Sequence, residues 1–341
     1  MTNDIRLIVL TYDSEKDIQD CLDSLTFQMG TKHEIFVTDN ASRDNTPSLV
    51  SNNYPSLKLI QNPDNYGYSK GNNISLESPL PEFVAFINPD TLSAQDWVAE
   101  AVRVLKSNPK IGAVQPRIML FDDRTKLNSQ GNEANFLFFA WPEGYGKSLN
   151  SQDTHRRIAF ASGCAAVYRS ECLEIIGHFD ESFFMYGEDT DLGMRLFLAG
   201  YDTMYCPDGV IYHKYRFKES GWKYQLLERN RLMILLKTYR KKTLLALLPI
   251  MAVSELGVIL KARSEGWLTH KIRSYGGVIR RLPILLNNRK KLQTIRVRSD
   301  SELISLLKGA ITFSPLNSSS SLKKGNELLD KYREFLIQLR I

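Results

Sequence analysis

The sequence has few cysteines, and none of them lie close together. Its 341 residues contain four, Cys21, Cys164, Cys172 and Cys206, with no C-x-x-C pair. Four scattered cysteines cannot staple a chain of this length, so a disulfide scaffold is excluded and a reducing compartment is expected. The first residues also lack the basic segment and cleavage site of a secretory leader. We expect them to lead straight into a strand.

Signatures of two nucleotide-binding classes are missing as well. No G-x-G-x-x-G or G-x-x-x-x-G-K-[ST] segment follows a predicted strand, which argues against a dinucleotide cofactor and against P-loop hydrolysis. Apolar material is not scarce, because hydrophobic residues make up 43% of the chain. That content is enough for one large or two ordinary domains, so intrinsic disorder is not expected.

The positive charges are concentrated in the C-terminal part of the chain. Residues 1–200 carry 17 Lys and Arg against 27 Asp and Glu, whereas residues 201–341 carry 27 against 11. A basic block can bind nucleic acid, an anionic membrane or acidic substrates. Here long aliphatic runs, rather than aromatic residues along a charged groove, separate the basic residues, which argues against nucleic acid.

The region 214–298 combines 21 Lys and Arg with four acidic residues and several aliphatic segments. The longest segment, Leu244–Leu260, has 17 residues and includes Pro249 and Glu255. Since a membrane span needs about 20 apolar residues, we predict basic helices that lie in the interface of an anionic membrane. An ordinary helical subdomain and a transmembrane hairpin stay open as alternatives. Residues 299–341 are predicted to form a Ser-rich linker and a C-terminal amphipathic helix.

Within the expected catalytic domain, residues 1–213, the first 120 residues alternate β-branched apolar segments with segments whose apolar spacing suits helices. This alternation predicts an α/β domain with a mostly parallel sheet flanked by helices. The expected strands are Ile5–Leu10, Glu34–Thr38, Leu57–Ile60, Phe83–Ile87 and Ile111–Val114. The expected helices are Asp13–Phe27, Thr46–Asn53 and Ala94–Ser107. Polar residues follow the first four strands, where ligands of such sheets bind. Residues 121–157 have weak periodicity and suggest a long excursion over that site.

Five segments together resemble family 2 glycosyltransferases, and most of all their bacterial and archaeal rhamnosyltransferase-like branch. They are Thr11–Tyr12 (TY), Thr38–Thr46 (TDNASRDNT), Asn65–Asn73 (NYGYSKGNN), Asn88–Asp90 (NPD) and Phe183–Arg195 (FFMYGEDTDLGMR). Each is unspecific alone, and their order and spacing over residues 5–231 carry the resemblance. The resemblance implies a GT-A catalytic domain and the inverting transfer of a sugar from a nucleotide-diphosphate donor to a glycan.

The resemblance also implies a divalent metal, Mg²⁺ or Mn²⁺, beside the donor diphosphate. Hard cations take oxygen ligands and neutralise a leaving diphosphate. The family's D-x-D motif has Asn88 in its first position here, which leaves Asp90 as the ligand and places Asn88 near the ribose. His213 is implied as a second ligand, although a lone histidine is often a structural residue.

An acceptor hydroxyl must lose a proton to a nearby carboxylate as it attacks the sugar. In the Glu188–Asp189 pair the family assigns this base to Asp189, with Ser162, Gly163 and Glu188 on the acceptor side. The alternative is structural, because adjacent carboxylates also stabilise the N-terminus of a helix.

Ten residues are expected around the nucleotide sugar: Thr11, Tyr12, Asp39, Asn40, Asn65, Gly67, Gly71, Asn88, Asp90 and Arg195. Asp39 would accept from a pyrimidine N–H. The two glycines would let the backbone approach the donor closely. Arg195 could meet the departing diphosphate, or equally pair with a neighbouring acid.

The donor is expected to be dTDP-rhamnose or a UDP-hexose, and the acceptor a glycan on a polyprenyl diphosphate at the cytoplasmic side of the cell membrane. A sugar nucleotidyltransferase would carry a Gly-rich basic loop after the first strand, where this chain has TYDSEKD. An inactive binding module would have lost Asp90 or Asp189, and both are present.

Overall fold

Two compact units make up the chain in the computed structural model, which describes residues 4–77, 79–149, 153–215, 220–313 and 320–339. The first unit comprises residues 1–132, 142–196 and 201–216. The second comprises residues 133–141, 197–200 and 217–341. The domain boundaries expected after residues 213 and 298 stay a prediction.

A ten-stranded sheet forms the centre of the first unit. Its strands are β1 (Ile5–Thr11), β2 (His33–Asp39), β3 (Lys58–Gln61), β4 (Phe83–Ile87), β5 (Thr91–Ser93), β6 (Ile111–Leu120), β7 (Leu127–Ser129), β10 (Arg156–Ile158), β11 (Ala165–Arg169) and β12 (Asp202–His213). The order is β10-β12-β6-β11-β4-β1-β2-β3, with β5 on β12 and β7 on β6. β8 (Asn132–Ala134) and β9 (Ala140–Pro142) form a separate pair.

The strands β3, β2, β1 and β4 run parallel, as predicted from their β-branched segments. β11 then runs antiparallel between β4 and β6, with Ala165 opposite Ile87. The start of β11 therefore lies beside the carboxyl end of β4. This reversal makes the sheet mixed, and it brings a loop from far along the chain to the edge where the polar residues gather.

Helices cover the sheet of the first unit. They are α1 (Ile18–Thr26), α2 (Thr46–Asn53), α3 (Gly67–Ile74), α4 (Trp97–Ser107), α5 (Ser170–Ile176) and α6 (Glu188–Leu198). α1 buries Ile18, Cys21, Leu22 and Leu25, which share one helical face. These side chains, those of α4 and the inward residues of β1, β2 and β4 form one hydrophobic core. The expected α/β architecture is confirmed.

Two segments differ from the sequence expectation. Asn65–Asn73 was expected only to approach the nucleotide sugar closely, with no helix predicted, but most of it forms α3. Its Gly, Ser and Asn residues have poor helix propensity, so the helix depends on tertiary contacts. The excursion 121–157 contains the short strands β7, β8 and β9, and its residues 150–152 lie outside the described part.

The second unit is helical in its described C-terminal part. Its helices are α7 (Gly221–Thr238), α8 (Lys241–Ser264), α9 (Leu268–Arg280), α10 (Leu282–Ile295), α11 (Asp300–Leu306) and α12 (Ser320–Gln338). Of the expected linker Ser318–Ser321, the first two residues lie outside the described part and the last two begin α12.

A contact beneath α6 gives a test of how tightly the first unit is packed. A Cβ on Gly193 would lie 2.2 Å from Cβ of Phe160, whereas Gly276 in α9 has open space around that position. We expect Gly193→Ala to lower the free energy of unfolding by about 1–3 kcal/mol through overpacking. Gly276→Ala, the control, should raise it by about 0.5–1 kcal/mol. Urea denaturation measures both, and equal midpoints would contradict the packing described.

Candidate active site

Asp90 and His213 meet where β5 pairs with β12. Thr91 is the register partner of His213, so the residue before Thr91 is brought beside the imidazole. Oδ1 of Asp90 lies 3.3 Å from Nε2 of His213. This buried oxygen accepts no hydrogen bond from the residues that the structure describes. A buried carboxylate oxygen without a donor is a position where a cation is favourable.

The His213 ring is held in place from its other side. Nδ1 lies 3.1 Å from Oδ1 of Asn128, which leaves Nε2 facing Asp90. Burial disfavours the imidazolium, but the Cys164 sulfur and the Asp90 carboxylate outweigh burial and raise the pKa of His213 to about 10. The surroundings of the ring thus favour a positive charge at this position. A protonated imidazole supplies that charge, and a divalent cation bound to the neutral imidazole would supply it equally.

Asp189 lies in the first turn of α6. Its Oδ2 accepts from Gly163 N at 3.2 Å and its Oδ1 from Thr190 N at 2.7 Å. Burial outweighs these hydrogen bonds and raises the pKa of Asp189 above its usual value. A carboxylate with a raised pKa is a stronger base than one in water.

Glu188 is buried next to Asp189 in the sequence. Its Oε2 has no hydrogen-bond partner within the described ranges. Burial, with the Asp189 charge as the next cause, raises the pKa of Glu188 well above its usual value. Two buried carboxyls without a cation beside them disfavour full ionisation of both.

The loop Ser162–Cys164 connects the two groups of side chains. Gly163 N donates to Asp189, while Cys164 O accepts from Asn88 N at 2.8 Å. The Cys164 sulfur lies close enough to the His213 ring for the imidazole to lower the pKa of the thiol, against the larger effect of burial. Because one loop of three residues contacts the helix carrying Asp189 and the strand ends carrying Asp90 and His213, these predicted residues lie at one edge of the sheet.

A second set of contacts lies at the ends of β1 and β2. Thr11 Oγ1 donates to Oδ1 of Asp39 at 2.8 Å, and Ser42 N donates to Oδ2 at 2.9 Å. Asn40 Nδ2 donates to Gly67 O at 2.9 Å, which ties β2 to α3. Asp39 is only 1% exposed, whereas Tyr12 is 42% exposed and offers an aromatic face to solvent.

A family model and similar proteins show which enzyme family the chain belongs to. The model for glycosyl transferase family 2 matches residues 7–177, half of the chain. The chain belongs to glycosyltransferase family 2. The matched residues include the β1, β2 and β4 ends and the Ser162–Cys164 loop, and they end before Asp189 and His213.

One similar family 2 protein is the N-acetylglucosaminyl-diphospho-decaprenol L-rhamnosyltransferase of Mycobacterium tuberculosis. It is 26% identical over 237 residues, which cover 63% of this chain and 77% of that protein. Together with the family match, similarity to named glycosyltransferases such as this one shows that the present chain is a transferase of the hexosyltransferase type.

Solved structures agree on the fold. S. aureus TarS 1-349 in complex with UDP-GlcNAc has a TM-score of 0.52 and 19% identity, covering 98% of this chain and 91% of that one. GalNAc-T7 with UDP, GalNAc and Mn²⁺ has a TM-score of 0.56 and 13% identity, covering 68% and 47%. The fold of this glycosyltransferase is GT-A, as expected from the resemblance.

The structure gives Gly67 and Gly71 a different reason for being glycine. Gly67 has a φ of +72°, and a Cβ there would lie 2.4 Å from Phe184 O. A Cβ on Gly71 would lie 2.5 Å from Leu10 and 2.8 Å from the Asn40 amide. The protein's own atoms occupy the space that a side chain would need, so these glycines are required for the packing of α3, and their place beside the nucleotide sugar stays a prediction. Asn65 accepts from Gly67 N and supports the same turn.

The expectation that Arg195 binds the nucleotide sugar disagrees with the structure. Its guanidinium is buried and donates to Oδ2 of Asp191 at 2.8 Å. It also donates to the carbonyls of Ile176, Gly177 and His178 at 2.7–2.8 Å. All three nitrogens are therefore used inside the protein, and the alternative of a salt bridge to a neighbouring acid is correct.

Sequence reasoning missed three residues that position the site. Asn128 orients His213, the Cys164 thiol contacts the same ring, and the Tyr68 hydroxyl donates to Gly163 O at 2.6 Å. Asn128 and His213 are 85 positions apart, so no local pattern links them. Tyr68 lay within the quoted segment Asn65–Asn73, and Cys164 follows the expected acceptor-side residues Ser162 and Gly163, but the roles of both depend on contacts that appear only in the fold.

The buried Glu188 predicts how stability depends on pH. A carboxyl with a raised pKa binds its proton more tightly in the folded chain, so its stabilising contribution is lost as pH rises from the usual carboxyl range through the raised pKa. Glu188→Gln should therefore raise the free energy of unfolding by about 1–3 kcal/mol near pH 8, and by less near pH 5. Urea denaturation at both pH values measures this difference.

The exposed Glu171 on α5 supplies the matched control. Glu171→Gln should leave the pH dependence unchanged, since an exposed carboxylate keeps its hydration in both states. A Glu188→Gln protein that follows the wild-type pH dependence would show that the Glu188 carboxyl is solvated.

Proposed function

We propose that this chain transfers a sugar, with inversion, from a nucleotide-diphosphate donor to a lipid-linked glycan during synthesis of a cell-surface polysaccharide or glycoconjugate. The observation that carries the proposal is the Ser162–Cys164 loop, which hydrogen-bonds to Asp189 and to Asn88 and places the Cys164 sulfur near His213. Asp189, the proposed base, and the Asp90–His213 pair, the proposed cation site, therefore lie at the same edge of the sheet. Sugar transfer requires this arrangement, because the acceptor hydroxyl and the donor must be held next to each other.

Asp90 and His213 would hold the divalent cation, Mg²⁺ or Mn²⁺. A carboxylate oxygen without a donor and a buried imidazole nitrogen facing it suit such a cation. When bound, the cation neutralises charge on the diphosphate. Asn128 fixes the imidazole so that Nε2 is the ligating atom. The Asn88 side chain has no hydrogen bond within the described ranges and is free to contact the ribose.

Asp189 would accept the proton of the acceptor hydroxyl through one of its carboxylate oxygens. The Gly163 and Thr190 amides orient the carboxylate, and burial strengthens it as a base. A single displacement with one base needs no covalent intermediate, so the anomeric configuration would invert. Ser162, Gly163 and Glu188 would line the acceptor side.

The nucleotide would lie against the ends of β1 and β2. Tyr12 offers an exposed ring for a base, and Oδ2 of Asp39 accepts one hydrogen bond and keeps a second acceptor position. Thr11 and Asn40 hold this edge in shape. The donor class is dTDP-rhamnose or a UDP-hexose, in keeping with a rhamnosyltransferase relative and a UDP-GlcNAc-bound structure.

The acceptor would be a glycan on a polyprenyl diphosphate at the cytoplasmic side of the membrane. The Mycobacterium tuberculosis relative is named for a diphospho-decaprenol acceptor. The basic region 214–298 gives this chain the charge to associate with an anionic membrane. The four free cysteines are buried and unpaired, as suits a reducing compartment.

Thermal unfolding with nucleotide sugars tests donor binding. A ligand that binds only the folded chain at 100 times its Kd stabilises by about 2.7 kcal/mol, which corresponds to a rise in Tm of about 5–10 °C. We expect this rise from one donor class in the presence of Mn²⁺ or Mg²⁺, and its loss in the presence of EDTA.

Asp90→Asn should abolish the metal-dependent part of this rise, because the amide is a neutral ligand. Asp96→Asn is the matched control, since Asp96 is exposed at the start of α4 and lies outside the pairing of β5 with β12 that brings Asp90 beside His213. A metal-dependent rise that survives in Asp90→Asn would show that the cation binds elsewhere.

The proposed base is tested by Asp189→Asn. The amide keeps the shape of the side chain but cannot take a proton, so we expect sugar transfer to slow by about 10²–10⁴-fold. The donor-induced rise in Tm should stay, because Asp189 is not proposed to bind the donor. Transfer is measured with radiolabelled donor and membrane lipids as acceptor, and near-normal transfer would assign the base to another residue.

A further inference from the structure

Helix α8 has the length of a membrane span but little burial. Among the described helices it alone is long and apolar enough to cross a membrane, by length and composition. Its 24 residues extend over about 36 Å at ~1.5 Å per residue, which exceeds a hydrocarbon core of about 30 Å. Only 17% of its most apolar window is buried, so α8 is not the central helix of a soluble core.

The exposed apolar residues of α8 lie on one face. They are Leu245, Leu248, Val253, Leu256 and Leu260, of which four follow the spacing of a single helical stripe. The opposite face carries the buried residues Thr243, Leu247, Ile250 and Ala262. α8 is therefore two-sided: one face packs within the second unit, and the other presents an aliphatic strip.

The inner face of α8 makes hydrogen bonds to neighbouring segments near both of its ends. At the first turn Thr243 hydrogen-bonds to Asp300, and Ala246 O accepts from the Tyr332 hydroxyl at 2.5 Å. At the end Ala262 O accepts from Trp267 N at 2.9 Å. These contacts join α8 to α11, to α12 and to the turn before α9.

A buried ion cluster fixes the middle of α8. Glu255 pairs with Arg231 of α7 and with Lys271 of α9, at 2.7 Å for the lysine, and both cations also pair with Glu228. The attraction of Arg231 and Lys271 outweighs burial and lowers the pKa of Glu255 to about 2. Withdrawing α8 into a bilayer would leave two buried cations with one carboxylate between them, which is strongly unfavourable.

The neighbouring helices share the composition of the exposed strip but are too short to span. α9 and α10 expose Ile272, Ile279, Leu282, Ile284 and Leu286. Exposed basic residues accompany them on α8 to α10: Lys241, Lys242, Lys261, Arg263, Arg273, Arg280, Lys290 and Lys291. α9 has 13 residues and α10 has 14, about 20 Å each. Exposed aliphatic and basic side chains together complement the acyl region and the anionic headgroups of one leaflet.

We propose that α8, α9 and α10 form a monotopic docking surface for an anionic membrane, with α8 lying in the plane of the interface and not crossing the bilayer. The surface would bring the proposed lipid-linked acceptor to the protein, and to that extent it rests on the proposed function. The experiments on the docking surface need no sugar donor. The docking surface can therefore be disproved while donor binding and sugar transfer are confirmed, and sugar transfer can be disproved while membrane binding is confirmed.

Vesicle flotation of the full chain tests the surface. We expect flotation with phosphatidylcholine vesicles that contain about one third phosphatidylglycerol, little with phosphatidylcholine alone, and weakening as salt rises. Leu248→Glu/Leu256→Glu should bind at least tenfold more weakly, because it places two charges in the aliphatic strip. Ile175→Glu, an exposed aliphatic residue on α5, is the matched control and should float like the wild type.

Unchanged flotation of Leu248→Glu/Leu256→Glu, with its helix content intact by circular dichroism, would overturn the proposal. So would a wild-type chain that does not bind these vesicles. Sedimentation of the same proteins without lipid tests whether a second copy of the chain covers the strip. A wild-type dimer that dissociates in Leu248→Glu/Leu256→Glu, together with no vesicle binding, would show that the strip mediates self-association instead.

Labelling of the two ends of α8 tests its orientation. Lys242→Cys and Arg263→Cys place a thiol at exposed positions near either end, and the four native cysteines are buried. A membrane-impermeant maleimide should label both variants in inverted cell-membrane vesicles and neither in spheroplasts. Labelling of the two ends from opposite sides would show that α8 crosses the bilayer and would overturn the in-plane orientation.

Discussion

The antiparallel insertion of β11 between β4 and β6 is the constraint on which the site depends. It places the Ser162–Cys164 loop against the carboxyl end of β4, where Cys164 O meets the Asn88 amide. From there the same loop reaches α6 through Gly163 and β12 through the Cys164 thiol. A register slip of one residue in β11 would turn the side chains of the strand to the other face of the sheet and would move Cys164 O away from the Asn88 amide. The backbone pairing of one short strand thus determines whether the carboxylates of the site can act together.

The parts of this fold that follow from local pattern were predictable. β1, β2 and β4 are short β-branched segments. Thr11 and Asp39 are the last residues of β1 and β2, and Asp90 lies three residues after β4, so strand ends and candidate ligands could be predicted together. The helix α3 could not be predicted, because Asn, Gly and Ser favour it poorly and its contacts to Asn40 and Phe184 exist only in the folded chain. Asn128 was out of reach for the related reason that its partner is distant in sequence.

At several positions the residue type alone could not distinguish a functional role from a structural one. Glycine permits both a close ligand and a close protein atom, and at Gly67 the close atom is Phe184 O. An acidic residue in an apolar run marks an interrupted span, but only the structure supplies Arg231 and Lys271 as the partners that make Glu255 tolerable there. In both cases the sequence identified an unusual position, and the contact partner decided what the position does.

Arg195 has a consequence that reaches beyond its own contacts. Its guanidinium donates hydrogen bonds both to the carbonyls at the end of α5 and to the Asp191 carboxylate of α6. The two helices are therefore joined through one side chain. Asp189 lies two positions before Asp191 on α6, and α5 emerges directly from β11. Arg195 therefore fixes the first turns of α6, which carry Asp189, relative to the end of α5 and so relative to the strand from which α5 begins.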